Sequence, residues 1–362
     1  MTNQIKKVCL VIPSLHAGGM ERVMTELANF IAAKDKVQVH LVLYGKNPST
    51  FYTLPLNLQL HKPNYTFRES FRFFSTLRAL FFLRYKIKHI KPDSILSFGE
   101  YWNSFVLISL LGLKYPIYIS DRCKPDKEFS TLHTLLRRWL YPKAAGIIAQ
   151  TSKAREIYSE KFKLRRIIVI GNPIRKIHSS VNIRRENIIL TAGRLIQTKN
   201  HDRLIKIFSQ LSGSDWKLLI IGGNALKQNN LSLLQKFLED KGLRDNVILA
   251  GELTDVDSQY LKSKIFAFTS NSEGFPNVIG EALSAGLPVV SYDCVAGPSE
   301  MIVDGENGFL VPVFDDDLFQ KRLQQLIDDE ELRQKMSRKA PESVEKFSIE
   351  KIGQQYLDFI LS

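Results

Sequence analysis

The sequence is short of cysteine and has no long apolar run. Its three cysteines, Cys9, Cys123 and Cys294, lie far apart and form no CxxC pair. This spacing disfavours a disulfide framework and a zinc site, and it suits a reducing compartment. No stretch approaches the ~20 apolar residues of a membrane span. The apolar run that ends at Pro13 is also shorter than the apolar segment of a signal peptide, which has roughly 7–15 residues. We therefore expect a cytoplasmic protein.

Two common phosphate-binding signatures are missing as well. Neither GxGxxG nor GxxxxGKS/T occurs anywhere, so the sequence favours neither a nicotinamide-dependent enzyme nor a P-loop ATPase. What is present is typical of a globular protein, since 44% of the residues are hydrophobic and 24% are charged. The length of 362 residues is enough for two domains with full cores.

The net charge of +13 is unevenly distributed along the chain. Residues 1–180 carry 29 Lys or Arg against 11 Asp or Glu, whereas residues 181–362 carry 21 against 26. A strongly basic half and a mildly acidic half indicate two domains with different partners. The basic half is suited to nucleic acid, an anionic membrane surface or a phosphorylated substrate.

Short apolar runs alternate with helical patterns through most of the chain. Val8–Ile12, a glycine loop, a helix over Glu21–Ala33 and a strand over Val37–Tyr44 form a βαβ unit of Rossmann type. The alternation restarts after the segment Gly171 to Pro173, with strands predicted at 187–191, 216–221, 247–250, 265–269 and 289–291. We expect an α/β protein of two Rossmann-like domains that face each other across a cleft.

The segment from Ser270 to Pro288 carries the strongest functional signal. A strand ends before it, Pro276 suits the first turn of a helix, and Gly286 with Pro288 ends that helix. The helix start offers backbone N–H groups and a positive dipole end, which suits phosphate. Glu273 before the helix and Glu281 within it are placed to accept hydroxyls of a sugar and a ribose. An ordinary acidic first turn and a surface glutamate are the alternative.

Two further loops have ligand-binding features. Arg194 and Lys199 follow a strand and enter a helix, where fixed cations stabilise the departure of a nucleotide diphosphate. A pair of solvated surface cations is the alternative. Gly18 and Gly19 let the backbone approach a ligand closely, although a simple tight turn explains them equally well.

Together these residues resemble family-4 retaining glycosyltransferases, which have the GT-B fold. The resemblance rests on Gly18-Gly19, on Gly193-Arg194 with Lys199, on Glu273-x7-Glu281, and on the segment from Gly297 to Val311. It extends over nearly the whole chain and is most specific between residues 187 and 315. It is looser between 45 and 140, where this family places its acceptor site.

The resemblance implies roles for individual residues. Arg194, Lys199 and Glu273 would be the catalytic set, the two cations holding the donor diphosphate and Glu273 touching the donor sugar. Residues 1–175 would bind the acceptor and residues 183–343 the nucleotide sugar, with a C-terminal helix over 344–362 packed back on the first domain. No metal or other cofactor is expected. The remaining donor-binding residues would be Gly18, Gly19, Gly274, Phe275, Asn277 and Glu281.

One position departs from the family pattern. Many relatives have a histidine after the strand equivalent to Ile117–Ser120, whereas this chain continues with Asp121, Arg122 and Cys123. Arg122 is suited to meeting a phosphate and Asp121 to orienting an acceptor hydroxyl. An ion pair within the loop is the alternative.

The segment from Arg68 to Lys91 mixes seven cations with many aromatic residues. Phe74, Leu77, Phe81 and Tyr85 share one helical face, which predicts that they form core. The other aromatic residues and the cations suggest contact with an anionic membrane, and a solvated helix over the core is the alternative. Nucleic acid is disfavoured because no binding motif accompanies the charge.

With this resemblance we expect a metal-independent enzyme that is peripheral on the inner membrane face. The resemblance implies that it would move a hexose or N-acetylhexosamine from a nucleotide donor, UDP-linked by preference, to a polyprenyl-diphosphate-linked glycan in bacterial surface polysaccharide or glycan assembly. Two alternatives stay open: a GDP- or ADP-sugar transferase with a soluble acceptor, and a non-catalytic sugar-nucleotide-binding protein of the same fold.

Overall fold

The computed structural model describes residues 5–46, 48–164, 166–178, 183–213, 215–225, 228–243 and 245–362. The chain forms two compact units. Unit 1 comprises Met1–Pro173 and Ile349–Ser362, and unit 2 comprises Ile174–Ser348. The junction between the two predicted domains, residues 176–182, lies partly outside the described residues.

Unit 1 is built on a parallel sheet of seven strands within the described residues. The sheet order is β3-β2-β1-β4-β5-β6-β7, so the direction in which strands are added reverses between β1 and β4. The strands are β1 (Lys6–Ile12), β2 (Val37–Leu43), β3 (Gln59–His61), β4 (Ser94–Phe98), β5 (Ile117–Ser120), β6 (Gly146–Ala149) and β7 (Ile167–Val169). The helices between them are α1 (Gly19–Ala32), α2 (Arg72–Ile90), α3 (Glu100–Ser109), α4 (Thr131–Leu140) and α5 (Ser152–Lys161).

Unit 2 repeats this architecture with a parallel sheet of six strands in the part that is described. Its order is β10-β9-β8-β11-β12-β13, which reverses between β8 and β11. The strands are β8 (Ile188–Ala192), β9 (Lys217–Ile221), β10 (Val247–Gly251), β11 (Ile265–Phe268), β12 (Val289–Tyr292) and β13 (Gly308–Val311). The helices are α6 (His201–Phe208), α7 (Asn230–Lys241), α8 (Asp257–Lys262), α9 (Asn277–Ser284), α10 (Pro298–Met301), α11 (Asp316–Asp328) and α12 (Glu330–Val344).

Both sheets confirm the predicted α/β class of two Rossmann-like domains. The strands read as apolar runs because parallel sheets are covered by helices on both faces. Residues Val8 to Ile12 of β1, for example, have no exposed surface. Three strands that the sequence pattern did not indicate, β3, β7 and β13, lie at the sheet edges.

The last helix begins later than predicted. The expected helix over 344–362 is α13 (Ile349–Leu361), and Pro341 lies inside the preceding helix α12 rather than before a new one. Met336 and Ala340 are fully buried on α12. Their packing outweighs the backbone hydrogen bond that proline removes. α13 contacts α1 and β4 within unit 1.

The predicted core face of α2 is wrong. Phe74, Phe81 and Tyr85 are 63–64% exposed, and the buried face consists of Ser75, Ala79, Leu83, Ile87 and Ile90. That face carries two small residues and three branched aliphatic residues, and it leaves the large aromatic rings on the solvent side. In the described part of the chain, no helix is long and apolar enough to cross a membrane.

Candidate active site

The loop after β8 carries the two predicted cations of unit 2. Gly193 has φ +153°, and a Cβ atom on Gly222 would lie 1.9 Å from the Gly193 carbonyl oxygen, so the loops after β8 and β9 meet without room for a side chain. The side-chain amide of Asn200 donates to the Thr269 carbonyl at 2.9 Å, and the Thr269 hydroxyl donates to the Lys199 carbonyl at 2.9 Å. These bonds fix the loop to the end of β11.

Lys199 and Glu273 meet at the point where the strand order reverses. Lys199 Nζ donates to Glu273 Oε1 at 2.6 Å, and both side chains are largely buried. The ammonium also lies 4.8 Å from the centroid of the Phe268 ring. Arg194 is exposed, and among the described residues its guanidinium has no hydrogen bond or ion pair. Open α/β sheets bind ligands at this position, outside the carboxyl ends of the strands.

Helix α9 begins next to this pair. Pro276 is its N-cap rather than its first residue, and Gly297 lets the following loop pass close by, since a Cβ atom there would lie 2.1 Å from Pro276 Cδ. Phe275 is 7% exposed and packs against Phe347, so only its backbone is placed to meet a ligand. Because α9 begins at Asn277, the positive end of its helix dipole lies beside the backbone of Gly274 and Phe275.

The end of α9 matches its sequence prediction. Gly286 has φ +75°, the Gly286 N–H donates to Leu283 O, and the Leu287 N–H donates to Ala282 O. These two bonds make a Schellman motif, which requires glycine at the left-handed position. Asp315 caps α11, since its carboxylate accepts from the N–H of Leu318.

Glu281 is buried on α9 and is held by its own set of partners. Its carboxylate accepts from Arg175 Nε at 3.2 Å and from the Tyr260 hydroxyl at 3.2 Å. Arg175 also pairs with Asp257. Glu273 and Glu281 therefore each have a separate cation, Lys199 and Arg175.

Gly18 and Gly19 lie where β1 gives way to α1. Gly18 is the N-cap of α1 with extended backbone, and its N–H donates to the Tyr52 hydroxyl at 3.0 Å. That hydroxyl donates back to the Gly18 carbonyl at 2.9 Å. A Cβ atom on Gly18 would lie 2.3 Å from a Glu21 carboxylate oxygen. Because this contact is with the end of a flexible side chain and the backbone is extended, the geometry does not require glycine at this position.

Asp121 lies in a buried polar network that the sequence did not indicate. It is 3% exposed, accepts from Asn103 at 2.9 Å and from the Tyr141 hydroxyl at 2.7 Å, and forms an ion pair with Arg137. Burial and the neighbouring carboxylate raise the pKa of Tyr141 well above its ordinary value, so the phenol stays a donor. The partner of Asp121 is therefore Arg137 rather than its neighbour Arg122.

Arg122 is held in a fixed position by different residues. Its guanidinium donates to Asn172 at 2.5 Å and to the Tyr356 hydroxyl at 2.9 Å, and it lies 3.4 Å above the centroid of the Phe98 ring. Burial lowers its pKa. Tyr356 comes from α13, which is 234 residues away in sequence, so no local pattern could have revealed this contact.

Comparison with known proteins agrees with this geometry. The model of the family "Glycosyltransferase Family 4" matches residues 17–176, and the model "Glycosyl transferases group 1" matches residues 173–343. Together the two matches span residues 17–343, which include every strand of the two sheets except β1.

The chain belongs to the family-4 glycosyltransferases. Members of this family retain the configuration of the transferred sugar. One relative is the amylovoran biosynthesis glycosyltransferase AmsD of Erwinia amylovora, which is 27% identical over 98% of this chain and 99% of its own.

A second relative and one solved structure extend the comparison. The Campylobacter jejuni GalNAc-alpha-(1->4)-GalNAc-alpha-(1->3)-diNAcBac-PP-undecaprenol alpha-1,4-N-acetyl-D-galactosaminyltransferase is 27% identical over 98% of both chains. The structure of Anabaena HepE in complex with UDP superposes with a TM-score of 0.81 at 19% identity, covering 98% of this chain and 99% of that one. This structure supports the GT-B fold.

Of the residues predicted for unit 2, the structure brings Lys199 and Glu273 into direct contact at the reversal point. Glu281 lies on α9 with partners of its own, and Glu273 lies in the loop before that helix. The sequence missed three supporting residues: Arg175 and Tyr260, which hold Glu281, and Arg137, which pairs with Asp121.

Proposed function

We propose that this protein transfers a hexose or N-acetylhexosamine from a UDP-sugar to a lipid-linked glycan in bacterial surface polysaccharide or glycan assembly. Unit 2 binds the donor and unit 1 binds the acceptor. The observation that carries the proposal is the contact of Lys199 with Glu273 beside the start of α9, at the reversal point of the unit 2 sheet.

The donor diphosphate is bound by positive charge from two sources. Arg194 and Lys199 supply side-chain cations, and the start of α9 supplies backbone N–H groups at Gly274 and Phe275. In the ligand-free protein Glu273 neutralises Lys199. When the diphosphate arrives, Lys199 turns to it and Glu273 becomes available to hydroxyls of the donor sugar.

The same cations stabilise the leaving nucleotide. Breaking the bond to the sugar builds negative charge on the diphosphate, and preorganised cations lower the energy of that state. We propose on this basis that no metal takes part. Transfer retained in excess EDTA would support the proposal, and activity that requires added Mg²⁺ or Mn²⁺ would contradict it.

The remaining donor contacts come from α9 and from unit 1. Glu281 accepts the two ribose hydroxyls, and Arg175 and Tyr260 hold its carboxylate in place. Asn277 lies in the first turn of α9. The family resemblance also assigns Gly18 and Gly19 to the donor, and glycine leaves the backbone accessible there. The choice of UDP is supported by the family resemblance and by the UDP complex of HepE.

A lipid-linked acceptor is supported by charge and by surface composition. The basic half of the sequence belongs to unit 1, whose helix α2 exposes Phe73, Phe74 and Phe81. Cations and aromatic residues on one surface suit an anionic membrane, where a polyprenyl diphosphate resides. The undecaprenol-linked substrate in the name of the Campylobacter relative points the same way. We place the protein on the inner membrane face.

Arg122 is the proposed phosphate contact of the acceptor, and Asp121 supports its loop. Arg122 follows β5 at the carboxyl edge of the unit 1 sheet and is held in place by Asn172 and Tyr356. A fixed guanidinium loses little entropy on binding phosphate.

The function is tested with UDP-, GDP- and ADP-linked sugars, scored for binding, hydrolysis and transfer to a short-chain polyprenyl diphosphate glycan. We expect binding and turnover with a UDP-sugar. Preference for a GDP- or ADP-sugar with a soluble acceptor would replace this proposal with the first alternative. Binding without any turnover would identify a non-catalytic protein.

A further inference from the structure

Three rings from separate elements pack together at the carboxyl edge of the unit 1 sheet. Tyr101 from the first turn of α3 lies 5.3 Å from Phe129 and 4.7 Å from His133, and Phe129 lies 4.9 Å from His133, all between ring centroids. We call these three residues the ring cluster. Burial lowers the pKa of His133, so its ring is neutral near pH 7.

The ring cluster is partly open to solvent. Tyr101 is 49% exposed, and Phe129 and His133 are partly buried, whereas an aromatic residue of the unit 2 core such as Tyr260 has no exposed surface. The exposed faces of the ring cluster are a surface on which a flat apolar face can lie.

A polar pair borders these rings. Lys127 Nζ lies 3.4 Å from Glu100 Oε1, and it lies 5.0 Å and 5.4 Å from the centroids of Tyr101 and Phe129. The pair supplies both a donor of hydrogen bonds and an acceptor. A ligand on the rings therefore meets one charge of each sign at the edge of the surface.

The position in the sheet is the one at which α/β proteins bind ligands. The strand order of unit 1 reverses between β1 and β4, and the ring cluster is carried by the segments that follow β4 and β5. A Cβ atom on Gly99 would lie 2.8 Å from Trp102 Cδ1 and 3.2 Å from Met20 Sδ. Trp102 and the start of α1 after Gly19 thus converge at the reversal point.

We propose that the ring cluster binds a pyranose ring of the acceptor glycan, with Glu100 and Lys127 bonding its hydroxyls. A pyranose presents C–H groups on its faces and hydroxyls at its rim, which matches exposed rings bordered by a polar pair. This proposal rests on the proposed function and names the residues that recognise the acceptor sugar. Arg137, which pairs with the buried Asp121, lies 4.5 Å from the centroid of the Phe129 ring and so packs against the ring cluster.

The test uses water-soluble probes, so that membrane binding plays no part. Methyl α- and β-glycosides of glucose, galactose, GlcNAc and GalNAc are titrated by saturation-transfer NMR into the full chain and into Tyr101→Ala, Tyr101→Phe and Tyr85→Ala. Tyr85 on α2 is the matched control because it is also an exposed tyrosine, with 64% of its surface accessible against 49% for Tyr101. UDP binding is measured on each protein in parallel.

We expect at least one glycoside to bind the unaltered chain, Tyr101→Phe and Tyr85→Ala alike, and to lose roughly tenfold or more in affinity on Tyr101→Ala. Glu100→Gln is expected to weaken the same glycoside and to leave UDP binding unchanged. Equal glycoside affinity for Tyr101→Ala, or no glycoside binding up to the solubility limit, overturns the proposal. UDP binding that persists in those cases leaves the proposed function intact, and its absence from the unaltered chain contradicts the proposed function instead.

Discussion

Lys199 Nζ lies 2.6 Å from Glu273 Oε1, and the two residues follow β8 and β11, the strands that flank the reversal point of the unit 2 sheet. A cation and an anion at this position neutralise each other until a ligand separates them. The donor diphosphate is the ligand that the family assignment and the adjoining start of α9 favour.

Replacing Lys199 with Ala is expected to lower the rate of transfer by roughly 10²–10³, because a preorganised charge that stabilises the leaving group is lost. Lys339→Ala is the control, since Lys339 pairs with Glu306 on the surface of the same unit. Initial rates at saturating donor measure the effect. Undiminished transfer by the Lys199 variant would contradict the assignment of Lys199 to the donor diphosphate.

Glu281→Gln is expected to weaken UDP binding roughly tenfold or more, because hydrogen bonds to a charged group contribute about 1.5–3 kcal/mol. Calorimetric titration with UDP and with 2′-deoxy-UDP shows whether the lost affinity belongs to the contact with the ribose 2′-hydroxyl. The unaltered chain should prefer UDP, and the variant should bind the two alike. A variant that keeps the full preference would show that Glu281 does not meet the ribose, and Glu306→Gln serves as the surface control.

The buried pair of Asp121 and Arg137 gives a prediction about stability. Arg137→Met leaves the Asp121 carboxylate without its cation, which is expected to cost about 3–5 kcal/mol of unfolding free energy. Urea unfolding followed by a probe in unit 1 measures this cost. Lys153→Met, which breaks an exposed pair with Glu156 on α5, should leave the midpoint unchanged. Equal midpoints for both variants would contradict the account of the network.

His201 gives a prediction about pH. Burial lowers its pKa from 6.5 to about 4, so the unfolded chain binds the proton more tightly than the folded one. Stability from this group is complete above about pH 6.5 and is lost as the pH falls toward 4, by at most about 3 kcal/mol. Unfolding free energies between pH 7 and 4 should fall less steeply for His201→Gln than for the unaltered chain. His16→Gln, at an exposed position, should keep the full slope, and equal slopes for all three would contradict the prediction.

Helix α2 gives a prediction about membranes. Phe74 and Phe81 are exposed beside the cations of this helix, so replacing both with Ser should reduce flotation with phosphatidylglycerol vesicles. Binding by the unaltered chain should weaken with salt, because each cation near an anionic surface contributes about 1 kcal/mol. The same change at Leu233 and Val303, two exposed apolar residues of unit 2, should have no effect. Equal flotation of both double variants would place membrane contact elsewhere.

Local sequence patterns predicted much of the fold and the end of α9. Apolar runs such as Val8–Ile12 mark buried parallel strands, and Gly286 marks the end of α9 because only glycine fits its backbone angle without strain. These features depend on neighbouring residues, so the sequence carries them directly.

Other features depend on contacts between distant residues. The predicted core face of α2 was wrong because apolar residues occupy more than one face of this helix. Which of these faces is buried depends on how the helix packs against its neighbours. Arg122 and Tyr356 are 234 residues apart in sequence, and Asp121, which follows β5, pairs with Arg137 on α4. Neither contact has a periodicity or spacing that a single sequence reveals.

A crystal structure of the protein with UDP bound tests the central claim most directly. The account predicts the diphosphate against Arg194, Lys199 and the start of α9, with the ribose hydroxyls on Glu281 and the bond between Lys199 and Glu273 broken. A nucleotide bound elsewhere, with Lys199 still paired to Glu273, would contradict it.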